Sequence, residues 1–185
     1  MLVISMAENF DLDRSSFNET KEKQDLKGFP FQGHFLGSEL VINQAGEQSH
    51  NTVGMVVKDN VMTSTQYQTA EQGGDFSLTK TAIFKPDGSF AISGPNFEGS
   101  GSCSSENMCQ YKSDFKMMVP VGDGDKMLMV TISGEDKFEV QANGELVVTG
   151  KASIIDPETR QPALDPVTKK PLGSWTTVDH LKKID

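Results

Sequence analysis

Apolar and polar residues alternate in short runs through most of this chain, and the runs are separated by turn-forming residues. Between positions 28 and 155 the runs fall near 31–42, 50–57, 60–68, 76–85, 89–93, 109–121, 126–133, 137–142 and 145–155. A period of two places successive side chains on opposite faces of an extended strand. Asp87-Gly88, Asp123-Gly124 and Asn143-Gly144 stand between runs, and such dipeptides supply the positive φ that tight hairpins need. Asp59-Asn60 can serve the same purpose. The pattern predicts an all-β fold: an antiparallel up-and-down β-barrel of about 8–10 strands, with a two-sheet β-sandwich as the alternative. Parallel α/β folds need long helical crossovers, and the pattern contains none.

Register narrows the reading. A two-residue loop at Asp123-Gly124 pairs Val121 with Lys126, and hence Val119 with Leu128, Met117 with Val130 and Phe115 with Ile132. All but Lys126 are apolar and share one face. At Asn143-Gly144 a two-residue loop would strand Leu146 and Val148 among polar neighbours. A three-residue loop, Ala142 to Gly144, instead pairs Val140 with Leu146 and Phe138 with Val148. A slip of one residue reverses every side chain, so the three-residue loop is expected, with Gly144 left-handed. Phe115, Met117, Val119, Leu128 and Val130 then form an inner row with Phe138, Val140, Leu146 and Val148, continued by Ala152 and Ile154. Met118, Met127 and Met129 project the other way together with Pro120. This second apolar face calls for a cover, whether the N-terminal arm, the tail or a second copy of the chain.

Flanking texture divides the chain into three. Residues 1–27 read as a polar arm without a sustained apolar face, 28–155 as the β-domain, and 156–185 as a Pro-rich tail packed on it. Prolines 157, 162, 166 and 171 forbid a regular helix or central strand across that part of the tail. Asp156-Pro157-Glu158-Thr159 is echoed by Asp165-Pro166-Val167-Thr168, which predicts two Asp-Pro turns in a loop pinned across one end of the domain. A short helix starting at Thr177 or Asp179 is the expectation for the last residues.

Composition then removes function classes. Seventeen basic against 26 acidic residues give a net charge of −9, which disfavours nucleic acid and anionic membranes as partners. No apolar stretch reaches the length of a membrane-spanning helix. Cys103 and Cys109 can close a short disulfide loop, which would favour an oxidising compartment, secreted or periplasmic; unpaired thiols would point to the cytoplasm. His34, His50 and His180 lack metal-ligand spacing. Asp123-Gly124-Asp125 lacks the alternating oxygens of a calcium loop. Neither a nucleophile elbow nor a phosphate loop occurs, Gly99-Ser100-Gly101 reads as part of a Ser-rich loop, and Glu135-Asp136 reads as a turn. No cofactor and no catalytic residue is therefore expected.

A meander of short hairpin-linked strands that starts with Gly33-His34-Phe35 resembles the calycin-like barrels, the lipocalin and fatty-acid-binding type, at the level of layout. That family opens on Gly-x-Trp; here Phe stands in the Trp position, and the only tryptophan is Trp175. The resemblance implies a barrel whose interior holds a small hydrophobic molecule. The expected function is non-enzymatic ligand binding by the inner row. The alternatives are an interaction module, a homodimer included, that uses the methionine face and the Pro-rich tail, and, behind it, an enzyme of unidentified type.

Overall fold

The computed structural model describes residues 28–67, 77–105, 107–122, 124 and 126–185. The N-terminal arm, Asp123 and Asp125 lie outside the described residues. Ten antiparallel strands follow one another: β1 Gly33–Asn43, β2 Gln48–Lys58, β3 Val61–Tyr67, β4 Ser77–Phe84, β5 Ser89–Gly94, β6 Phe97–Ser105, β7 Met108–Val121, β8 Lys126–Val140, β9 Leu146–Ile155 and β10 Ser174–Lys183. Each pairs with its sequence neighbours, and β10 returns to β1 to close the sheet into an up-and-down barrel.

The register follows the alternation. Val119 faces Leu128, Met117 faces Val130, and Phe115 faces Ile132. Across the next hairpin Val140 faces Leu146 and Phe138 faces Val148, with Gly144 at φ 81°. Turn chemistry and burial pattern therefore specify the same pairing. Two-residue and three-residue turns at Asp59-Asn60 and Pro86-Gly88 carry positive φ at Asp59 and Gly88.

Three expectations are corrected. Residues 97–105 are a strand rather than a Ser-rich loop. Gly99 and Gly101 lie on its inner phase, where a β-carbon would stand 2.8 Å from Ile92 and 2.5 Å from Phe90, so the glycines make room for larger neighbours. Glu135-Asp136 is not a turn, because β8 runs unbroken through it. No helix forms at Thr177 or Asp179: these residues lie in β10, whose β-branched Thr176, Thr177 and Val178 suit a pleated strand.

The β7–β8 hairpin outgrows the barrel. Strand β6 reaches only Phe115 of β7, and β9 reaches only Thr131 of β8. Beyond these points the hairpin is a two-stranded flap. The segment between β9 and β10 folds into two loops of the same form. In each, an Asp carboxylate caps two backbone N–H groups, those of Glu158 and Thr159 for Asp156 and those of Val167 and Thr168 for Asp165. The residue four places on, Arg160 or Lys169, has φ 60°. Arg160 pairs with Asp114 and bonds Ser133 on the outer wall, while Asp165 accepts the Gly122 N–H at the flap's tip.

Strand direction gives the barrel two unlike ends. At one end Phe29 and Phe31 enter before β1 and plug the interior. Phe29 packs at 5.3 Å from both Phe84 and Phe90, and Phe31 stacks on Phe138 at 5.9 Å. Met62, Leu146 and Leu181 fill the remaining space. The Cys103–Cys109 disulfide bridges β6 and β7 at this same end. At the other end the described residues leave the interior open.

Candidate functional site

The open half of the barrel encloses a cavity of about 550 Å³. Its walls come from inward positions near the open ends of the strands: Val41, Leu78, Phe97, Phe115, Ile132 and Trp175 are among them. Ser49, Ser113, Gly134 and Ala152 face the same space. Small side chains in these positions leave unfilled the volume that rings occupy at the plugged end.

A polar layer separates cavity from plug. Glu39 is the register partner of Asp179 on one side and of Asn51 on the other. It is buried, and its carboxylate accepts from the Asn51 amide at 2.5 Å and from the Gln66 amide. From β8 comes Asp136, whose carboxylate takes the space that a β-carbon on Gly150 would need. Tyr111 stacks on Phe138 at 5.5 Å, its ring belonging to the plug. Its hydroxyl reaches Asp136 and lies 3.4 Å from the Lys80 Nζ. Lys80 also sits over the Phe97 ring, 4.9 Å from its centre. Among the described residues, this layer sets three carboxylates against one ammonium.

Burial shapes the acidities. Asp179, 8% exposed, is pushed up to about 8 by desolvation and then by the neighbouring Glu39 and Asp136, with Lys80 opposing. Its Oδ1 is buried without a hydrogen-bond partner. The Tyr111 hydroxyl is raised well above its ordinary value, by burial first and Asp136 second. Near neutral pH the layer therefore holds Asp179 as the acid.

The residues picked out by pattern divide among several places. Phe115 and Met117 line the cavity. Phe138, Leu146 and Val148 lie in the plug, with Val140 packed against it. Val119, Leu128 and Val130 continue the inner row into the flap, where Val130 is buried. Met118, Met127 and Met129 stand on the flap's outer face, each about half exposed, so the Pro-rich tail does not cover them. Pattern reading missed Glu39, Lys80, Asp136, Asp179 and Trp175. Their signal was present as polar or lone aromatic residues on the apolar phase of a strand.

The histidines lie outside the cavity. His34 is on the outer surface, 3.6 Å from Asp185, and His180 is exposed, 3.3 Å from Glu145. His50 is also exposed. Among the described residues no group of three or more His, Cys, Asp or Glu is arranged to hold a metal ion, and no helix is long and apolar enough to cross a membrane. No protein-family model matches the chain, and no curated protein matches it.

Proposed function

We propose that this protein is a non-enzymatic binding protein that holds a small, largely apolar molecule in the open half of its barrel. One observation carries the reading: the interior is divided, with one end packed solid by phenylalanine and the other left as a cavity of about 550 Å³ under apolar walls. That volume lies in the range of small-molecule sites. Ten strands also make a barrel wider than the eight whose side chains just fill the interior. Kinship with the calycin-like barrels is supported by the same layout, a closed antiparallel meander with an enclosed cup. The Cys103–Cys109 bridge supports residence in an oxidising compartment.

Trp175, the chain's single tryptophan, stands in the cavity wall and provides the test. A neutral naphthylamine dye should be taken up with saturable energy transfer from Trp175, and Ala152→Trp, which fills the cup, should block uptake. Absence of any dye uptake, together with mass spectra of organic extracts showing nothing bound, would defeat the carrier reading.

A second reading has its own observation. Met118, Met127 and Met129 form an exposed apolar face on the flap, and pliable thioethers suit a contact surface for another protein or a second copy of the chain.

A further inference from the structure

We propose that the molecule held in the cup is an organic ammonium, a primary or secondary amine with an apolar body, seated with its cation toward Glu39, Asp136 and Asp179. The inference rests on the carrier reading and adds the chemical class of the ligand.

The cup is apolar at its walls and acidic at its base, so it fits a molecule with those two parts in that order. The base is short of positive charge. Lys80 is the one ammonium among the described residues of the layer, and it is engaged with the Tyr111 hydroxyl and the Phe97 ring. Glu39 has two amide donors, from Asn51 and Gln66. Asp179 is the residue without such support. It occupies the next inward position below Thr177, which lines the cavity, and its buried Oδ1 has no partner. A buried carboxylate oxygen left unpaired is costly, and an ammonium donor placed above it removes that cost.

Other ligand chemistries fit less well. A fatty-acid carboxylate would bring a further negative group into a layer so crowded with acidic side chains that Asp179 already keeps its proton. A divalent metal needs ligands converging on one point, and none of the described residues provides that cluster. An ammonium needs only proximity, and its apolar body would lie against Phe97, Phe115 and Trp175 in the cavity wall.

Proton traffic should accompany binding. Asp179 is faced by Glu39 from β1, Asp136 from β8, Lys80 from β4 and Tyr111 from β7. With its folded value at about 8, it holds a proton at neutral pH. A cation beside it favours the ionised form, so the amine should displace that proton.

The experiment compares decylamine, decanol and decanoate, which share one alkyl body, on the full chain by Trp175 fluorescence and calorimetry. At neutral pH decylamine should bind about tenfold more tightly than decanol, a difference of about 1.4 kcal/mol, and decanoate more weakly than decanol. Calorimetry in buffers of different ionisation enthalpy should show proton release with the amine and none with the alcohol. Asp179→Asn combined with Glu39→Gln should abolish the amine's preference while decanol still binds. If that variant fails to fold, the wild-type ratio of amine to alcohol decides: it should rise from pH 6 to pH 9 as Asp179 ionises, since an alkylammonium stays charged up to about pH 10. Equal binding of amine and alcohol, or preference for decanoate, overturns the ammonium inference and leaves the carrier standing. Failure of all three to bind overturns both.

Discussion

The two ends of this barrel are built from the same ten strands with the same in-and-out alternation, yet one is solid and the other hollow. At the plugged end Phe90, Met62, Leu146 and Leu181 are at most 1% exposed. At the open end Phe115, Met117, Ile132 and Trp175 point inward too, but each keeps intermediate exposure. The backbone does not make this difference. Side-chain volume does: Phe29, Phe31, Phe84, Phe90 and Phe138 fill one end, whereas Ser49, Ser113, Gly134 and Ala152 stand at the other. A barrel of this width needs rings to fill it, and wherever rings give way to small residues a cup follows.

The largest expected effect measures that contrast directly. Phe90 lies between Phe29 and Tyr111, so Phe90→Ala should cost about 3–5 kcal/mol in urea unfolding. Phe115→Ala at the cup wall should cost less than half as much, since its side chain already borders empty space. Equal losses at the two sites would mean that the open half is packed in solution, and the comparison would fail.

Next comes the boundary layer. Asp179 has an ordinary value of 3.8 and a folded value of about 8, so between those limits the folded state holds a proton that the unfolded chain releases. The sign follows: the favourable contribution is complete below pH 3.8 and is lost as pH rises through about 8. Across that window the loss should be on the order of a few kcal/mol. Asp179→Asn should flatten the slope and be more stable than the wild type at pH 9. A wild-type stability that does not fall over this range would contradict the buried, charge-crowded position of Asp179.

The same layer explains how far alternation could be read. Strands β7, β8 and β9 were legible where their inner rows are apolar, down to the register of the Asn143-Gly144 turn, because a wrong slip would have buried Glu139 or Gln141. Legibility failed where an inward residue is polar or missing. Asp136 broke the apolar phase of β8 and read as a turn; Asp179 broke that of β10 and read as a helix start. Gly99 and Gly101 interrupted the inner phase of β6 between Phe97 and Cys103. The closing strand and the cup's acidic base were hidden by one cause: residues kept inside for something other than packing. Only closure of the sheet, which sets Glu39 beside Asp179 across 140 residues of chain, brings them together.

A smaller effect should confine itself to the plugged end. Replacing Cys103 and Cys109 by serine opens a loop of sequence separation 6, and loop-closure entropy for so short a loop gives a loss of about 2 kcal/mol. Because the bridge lies at the far end from the cavity, dye uptake by the folded variant should be unchanged. Loss of uptake at full folding would show that the two halves are coupled.

The smallest effect belongs to the flap, which shares β7 and β8 with both ends but lies beyond the closed sheet. Met129 is 53% exposed on its outer face, opposite Met118. Met129→Glu should change stability of the monomer by no more than about 0.5 kcal/mol, as for surface sites without a special role. Light scattering gives that result its meaning. If the wild type is a monomer and the variant matches it in mass and stability, the methionine face makes no contact between copies. If the wild type is a dimer that Met129→Glu dissociates, the face is an interface, since a carboxylate cannot enter an apolar contact without losing its hydration. In that case the flap belongs to assembly and the cup alone to the ligand, and dye uptake should survive in the dissociated variant.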